Sequence, residues 1–231
     1  MKQAIILCSG GLDSVVTAYY AKKKLDYEKI IILFFDYGQR NVKAERKRSK
    51  RCAEDLKVYF HEIKLKELGA LSTSLLNSDD EAKKISRKYL KDSKKESEKW
   101  YVPCRNLVFL SYALALAESD FVKNKIRSDI FVGFKNEGKE GYPDTSEKFV
   151  NLINSISSQS TAGKFKVKAP LIKKDKEDIV SLGLKFDVDF TQTFSCYASN
   201  KKHCGVCLAC RLRQEGFYWA NVKDPTEYVK N

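Results

Sequence analysis

The residues with the clearest chemical content lie at the two ends of the chain. Near the start, Ser9-Gly10-Gly11-Leu12-Asp13-Ser14 follows a short apolar run that ends in Cys8. Two adjacent glycines let a backbone turn tightly and come close to a ligand. A helix beginning at such a turn points free N–H groups and the positive end of its dipole at an anion. Ser9 and Ser14 add hydroxyls, and Asp13 adds a carboxylate suited to Mg2+. The chemistry this predicts is phosphate binding. The loop lacks the Gly-Lys-Ser/Thr ending of one large nucleotide-binding class and the G-x-G-x-x-G spacing of dinucleotide sites. The competing reading is an ordinary glycine-rich turn capped by Asp or Ser.

Near the end, Cys196, Cys204, Cys207 and Cys210 read C-x7-C-x2-C-x2-C. Four thiolates this dense suit one tetrahedral Zn2+, closed and therefore structural. An iron–sulfur cluster is the rival occupant, because C-x2-C-x2-C also occurs in ferredoxin runs. The closing Cys-Pro of those runs is missing, which favours zinc. His203 is expected to be a bystander, with a Cys3His set as the alternative. The remaining candidates are scattered. Asp36, Gln39 and Arg40 follow a second apolar run, where Asp36 could meet ribose or adenine and Gln39 and Arg40 the triphosphate or the substrate. For Gln39 a plain surface position is an equal reading. Arg105 and Asn106 open an apolar helix, and a charge there asks for an anion partner. Tyr142 and Asp144 could read a flat ring, by stacking and by a carboxylate on an N–H edge; Asp144 could equally cap the next helix. Lys176 could stabilise leaving pyrophosphate, or be one more surface lysine.

The elements that must position these residues are legible from periodicity. Strands are predicted at 4–8, 29–35, 58–63, 129–134 and 167–171, and helices from Leu12 and at 42–56, 106–121, 144–158, 176–182 and 208–220. Strand and helix alternate, which predicts an α/β fold with a parallel, doubly wound sheet. Residues 69–102 are polar with little period and are read as an insertion or lid. The expected organisation is a nucleotide-binding domain over 1–190 and a zinc-binding segment over 191–231.

At 231 residues and 43% hydrophobic, the chain can fill one large core, and disorder is excluded for most of it. No apolar run approaches the ~20 residues of a membrane span, and the N-terminus lacks a signal-peptide pattern. A cytoplasmic protein is expected, so its seven cysteines point to metal or catalysis rather than disulfides. The net charge of +13 rests on 34 lysines against 9 arginines. That balance reads as solvated lysine faces more than as a nucleic-acid surface, where arginine leads.

The hexapeptide resembles the phosphate loop of the PP-loop ATP pyrophosphatases, which cleave ATP between the α- and β-phosphates and adenylate an oxygen of the substrate. The other motifs, in order, are Asp36-Tyr37-Gly38-Gln39-Arg40, Val102-Pro103-Cys104-Arg105-Asn106, Gly141-Tyr142-Pro143-Asp144, Ala169-Pro170-Leu171 with Lys176, and Thr193-Phe194-Ser195-Cys196-Tyr197. Together they resemble the QueC family, the 7-cyano-7-deazaguanine synthases, over nearly the whole chain. The resemblance implies adenylation of the carboxylate of 7-carboxy-7-deazaguanine with Mg-ATP and displacement of AMP by ammonia. A second ATP then converts the amide to the nitrile preQ0. It implies Cys8 to Ser14, Asp36, Gln39 and Arg40 around ATP, and Arg105, Asn106, Tyr142 and Asp144 around the substrate. It further implies Asp13, Ser14, Arg105 and Lys176 in catalysis, zinc on the four cysteines, an adenine-nucleotide α-hydrolase fold and a homodimer. The sequence departs from the family where Thr145 and Ser146 replace Cys-Arg, where Asn41 replaces His, at Glu98-Lys99-Trp100, and in the charged stretch 136–140. Those departures motivate an alternative, a QueC-like paralogue of antiviral-defence type that joins the activated deazaguanine to a protein amine as an amide. Two further rivals are a PP-loop tRNA-modifying enzyme using Cys104, and a non-enzymatic module docking through Phe217, Tyr218 and Trp219.

Overall fold

The computed structural model describes residues 2–78, 85, 94–135 and 142–229. Five parallel strands form one sheet: β1 (Gln3–Leu7), β2 (Lys29–Asp36), β3 (Tyr59–Lys64), β4 (Ser128–Phe131) and β5 (Val167–Lys168). Their order is β3-β2-β1-β4-β5. The helices are α1 (Leu12–Lys23), α2 (Val42–Leu56), α3 (Lys66–Ala70), α4 (Lys94–Glu98), α5 (Arg105–Asn124), α6 (Glu147–Ser160), α7 (Lys176–Lys185) and α8 (Leu208–Trp219). Successive strands run outward from β1 in one direction and then jump back across it to β4. The order therefore reverses between β1 and β4, and in open α/β sheets ligands bind beyond the strand ends at such a reversal.

Alternation along the strands sorts the core into two layers. Ala4, Ile6, Ile30 and Ile32 face Val15, Ala18, Cys52, Ile179 and Phe217, from α1, α2, α7 and α8. Ile5, Leu33, Phe35 and Ile130 face Leu110, Ala113 and Ala117 of α5 and Val150 and Ile153 of α6. Leu76, Trp100 and Val102, inside the polar stretch 69–102, are buried in this second layer. The rest of that stretch, 79–84 and 86–93, lies outside the described residues, as do 136–140 and Gly141. Among the described residues no helix is long and apolar enough to cross a membrane.

Several boundaries differ from the sequence reading for identifiable reasons. β5 is two residues long rather than spanning 167–171, because Pro170 has no N–H for the ladder. β4 ends at Phe131, and Gly133 turns aside to line a cavity. The helix expected from residue 144 begins at Glu147. Pro143–Thr145 form a 3-10 turn, and the Ser146 hydroxyl accepts the Phe149 N–H at 3.1 Å as the N-cap.

Candidate functional site

The phosphate loop leaves β1 and is pinned from both sides. Ser49 of α2 donates its hydroxyl to the Cys8 carbonyl at 2.9 Å, and the Phe194 N–H donates to the Gly10 carbonyl at 2.8 Å. Gly10 has φ +75°, and a Cβ there would lie 2.7 Å from Cβ of Arg48 and 2.8 Å from the Glu45 carbonyl oxygen. Only glycine allows this turn to sit so close to α2. Gly11 then opens α1 from an extended N-cap position with no capping side chain. Ser14 donates its hydroxyl to the Gly11 carbonyl at 3.0 Å and lies 3.5 Å from the Ser9 hydroxyl.

Two cavities meet at this loop. The larger, about 240 Å3, is lined by Cys8, Ser9, Gly11, Asp13, Ser14, Gln39, Arg105 and Asn106, with Phe35, Tyr37, Phe109 and Phe134 as aromatic walls. The smaller, about 170 Å3, is lined by Lys135, Tyr142, Lys176, Ser195 and Leu208 among others. Ser9, Gly11, Asp13, Glu45 and Tyr197 border both. A glycine-rich loop, an aromatic wall and several cationic side chains thus converge at the reversal point of the sheet.

The charged groups divide by partner. Lys176 Nζ donates to both carboxylate oxygens of Asp13 at 2.7 Å, across 163 residues of sequence. Its stem crosses Gly216 of α8, where a Cβ would lie 2.2 Å from Cγ of Lys176. Arg105, on the first turn of α5, lies with its guanidinium 5.9 Å from the Tyr37 ring centre and donates to the Tyr37 hydroxyl at 3.5 Å. Among the described residues it has no carboxylate within 4.0 Å. Glu45, which the sequence reading missed, accepts from Gln39 at 2.9 Å and from Asn41 at 3.0 Å, and burial pushes its carboxyl up to about 7. The Cys8 thiol is held down to about 7 chiefly by a hydrogen bond from Cys52, against the opposing effect of burial.

Not every expected residue reaches the cavities. Asp36 is buried and binds Arg46 at 2.8 Å and the Gly38 N–H at 3.2 Å, shaping the turn after β2. Arg40 points to the Leu75 carbonyl, and its own N–H donates to the Leu76 carbonyl at 2.7 Å. Gln39 lines the larger cavity but also closes the turn, donating to the Phe35 carbonyl at 3.0 Å. Asp144 accepts from the Asn106 N–H at 3.4 Å, an anion at the N-terminus of α5. Tyr142 stacks on Tyr101 at 5.5 Å and donates to the Ser97 carbonyl at 2.7 Å. Asn106 donates to the Asp144 carbonyl at 3.2 Å.

The four cysteines of the C-terminal motif come together as expected, with all four sulfurs within 4.8 Å of one another. Hydrogen bonds from the other thiols hold Cys204 far down and push Cys207 and Cys210 up. Four thiols crowded into so small a volume form a donor set that can hold a metal ion. His203 lies outside this set, because its Nε2 accepts the Ser195 N–H at 3.0 Å. The cluster touches the phosphate site mechanically: Asn41 donates to the Cys196 carbonyl at 2.9 Å, and Phe194 holds Gly10.

The profile of the family described as Queuosine biosynthesis protein QueC matches residues 3–221. The chain belongs to the QueC family. It is 37% identical over 228 residues to a 7-cyano-7-deazaguanine synthase of a Nitratiruptor species, covering 98% of each chain. It is 38% identical over 232 residues to one of Methanosphaera stadtmanae, covering 99% of each. Among solved structures, the U34-tRNA thiolase NcsA from Methanococcus maripaludis aligns over 95% of this chain and 64% of its own, with a TM-score of 0.48 and 14% identity. Within the QueC frame, three of the departing residues have structural partners here. Thr145 donates its hydroxyl to the Tyr142 carbonyl at 2.9 Å, Ser146 caps α6, and Asn41 bridges Glu45 to Cys196. Phe217 is buried at 1% exposure, so the exposed aromatic pair on α8 is Tyr218 and Trp219 alone.

Proposed function

We propose that this QueC-family chain is a 7-cyano-7-deazaguanine synthase. It uses Mg-ATP to adenylate the carboxylate of 7-carboxy-7-deazaguanine, ammonia displaces AMP, and a second adenylation removes the amide oxygen to leave the nitrile. The full-length relatives carry this name. The observation that carries the reading onto the site is Arg105, a charged guanidinium without a carboxylate partner in the same cavity as the phosphate loop. That pairing suits a substrate carboxylate held against the α-phosphate. In this reading Cys8 to Ser14 cradle the phosphates, with Asp13 and Lys176 at the pyrophosphate end. Phe35, Tyr37 and Phe109 offer an aromatic wall to a flat ring, and Asn106, Tyr142 and Asp144 stand on the substrate side. Asp36, Gln39 and Arg40 support the nucleotide pocket through the turn after β2.

The metal in this reading is one structural Zn2+ on Cys196, Cys204, Cys207 and Cys210. Zn–S bonds of about 2.3 Å in a tetrahedron place sulfurs about 3.8 Å apart. The Cys204–Cys210 and Cys196–Cys207 pairs are 4.0 Å apart. A four-iron cubane would hold its ligands wider. The zinc supplies no chemistry to the reaction and fixes the 193–210 segment behind the phosphate loop. The reading also includes a cytoplasmic homodimer, and light scattering during gel filtration tests the dimer.

The test is incubation with Mg-ATP, 7-carboxy-7-deazaguanine and ammonia, followed by mass spectrometry of small molecules and intact protein. AMP, pyrophosphate and the nitrile are expected. AMP with a deazaguanine mass on a protein would move the assignment to amide ligation, and no AMP at all would end the reading.

A further inference from the structure

Glu45 sits in the first turn of α2 and borders both cavities where they meet. The other carboxylate at that junction, Asp13, has both oxygens on Lys176. Glu45 has no cation within 4.0 Å among the described residues. Its Oε2 accepts from Gln39 and its Oε1 from Asn41, both neutral amides. Each oxygen accepts one of these hydrogen bonds, and the amides fix the carboxylate's orientation without neutralising it. With the phosphate loop on one side and Arg105 on the other, this is the place where a substrate carboxylate bound to Arg105 would meet the α-phosphate.

We infer that Glu45 is the base that accepts the N–H protons released as the acyl adenylate becomes an amide and the activated amide becomes a nitrile. The inference rests on the proposed synthase activity. In the first step the nitrogen lone pair of ammonia forms a C–N bond to the adenylated carbonyl carbon. One N–H proton passes to the Glu45 carboxylate, and the C–O bond to AMP breaks with its electrons on the phosphate oxygen. In the second, the amide adenylated on oxygen carries two N–H protons: one passes to Glu45 and then to water, leaving a neutral imidate, and the electrons of the remaining N–H become the third C–N bond. Its proton again goes to Glu45, and AMP leaves with the C–O electrons. Glu45 returns each proton to water, so no further reactant is needed.

The groups facing Glu45 from neighbouring elements leave this role open to it. Tyr37, just after β2, is pushed up to about 12 by burial and stays protonated. Asp13 of α1 is paired, Arg105 of α5 is a permanent cation, and Tyr197 lies on the segment that follows Phe194. Cys8 lies beneath the loop, engaged with Ser14 at 3.6 Å and with Cys52. Burial raises the Glu45 carboxyl to about 7, so it exchanges protons near neutrality.

The experiment compares Glu45→Gln and Glu45→Asp with the parent enzyme in three assays: substrate-dependent ATP–pyrophosphate exchange, nitrile formation from ammonia, and hydroxamate formation from hydroxylamine. Hydroxylamine is a free nucleophile at neutral pH. Glu45→Gln is expected to keep exchange within roughly threefold and to lose roughly 100-fold or more in nitrile formation, with a smaller loss in hydroxamate formation, where one N–H proton leaves instead of three, and with Glu45→Asp in between. Nitrile formation unchanged in Glu45→Gln overturns the inference. So does a parallel fall of all three activities, which would make Glu45 a part of the cavity wall only. Should neither variant fold, the parent enzyme decides: nitrile formation per adenylate must rise along one limb near about pH 7, and a flat profile overturns the role. Absence of exchange in the parent enzyme would instead be a failure of the proposed activity.

Discussion

Replacing Arg105 by Met separates a ligand-binding charge from a structural one. The guanidinium contributes one long hydrogen bond, 3.5 Å to the Tyr37 hydroxyl, and a cation–π contact at 5.9 Å. Losing the cation–π contact costs about 0.5–2 kcal/mol. Against it stands relief of a desolvated charge that no described carboxylate neutralises. The net change in stability is expected within about 1 kcal/mol, which for a chain of this length is a shift of about 2–4 °C in Tm. Binding behaves differently. A charge-assisted hydrogen-bonded pair with a substrate carboxylate is worth about 1.5–3 kcal/mol. At about 1.4 kcal/mol per decade, Arg105→Met loses about 10- to 150-fold in kcat/KM for 7-carboxy-7-deazaguanine. The assay is pyrophosphate exchange titrated with that substrate, beside a thermal melt of the same protein. Unchanged exchange would refute the reasoning, as would a Tm fall of about 10 °C or more, which would mark Arg105 as a structural ion.

Three further expectations rest on the same geometry. Lys176→Met strips Asp13 of its partner and leaves a bare carboxylate where phosphates bind, so the KM for ATP should rise about tenfold or more. Adding Asp13→Asn should recover Tm but not activity; recovery of both would remove the pair from the site. Cys204→Ser, or a strong chelator, should release one metal ion per chain by elemental analysis and lower Tm. ATP affinity should fall with it, because Phe194 and Asn41 tie the cluster to the phosphate loop; unaltered ATP binding in the metal-free protein would break that link. The raised Glu45 carboxyl predicts a pH-dependent stability. Between about pH 4.5 and 7 the folded state holds a proton the unfolded state has lost, so this group's contribution is fully present below that window and declines as pH rises through it. Glu45→Gln should flatten the slope in urea titrations; an unchanged slope would place its origin elsewhere.

The phosphate loop and the cysteine cluster are legible because each is written in consecutive or closely spaced residues. Gly10 and Gly11 announce a turn, and Cys204, Cys207 and Cys210 announce a chelate before any fold is known. The doubly wound sheet is legible from period alone. What the sequence conceals depends on distance. Lys176 reads as one lysine among 34 until the fold sets it on Asp13 through the gap at Gly216. Glu45 is one of nine charged residues among the fifteen of its helix, so nothing marks it. Only the turn after β2, which brings Gln39 and Asn41 to its two oxygens, makes it different from Glu54. Arg40 resembles a ligand because it adjoins Gln39, yet the backbone turns between them and sends its side chain to the Leu75 carbonyl. Pro170 and Ser146 are plain in the sequence, but apolar periodicity runs through both positions and hides the boundaries they set.

In the proposed reaction, the cavity lined by Arg105 is where the adenylyl group of ATP passes to a carboxylate oxygen of 7-carboxy-7-deazaguanine. Substrate labelled with 18O in both carboxylate oxygens tests it directly. Each AMP formed is expected to carry one 18O on its phosphate, and the nitrile none. Unlabelled AMP would contradict it, since the phosphate would then have been cleaved by water and not by the substrate.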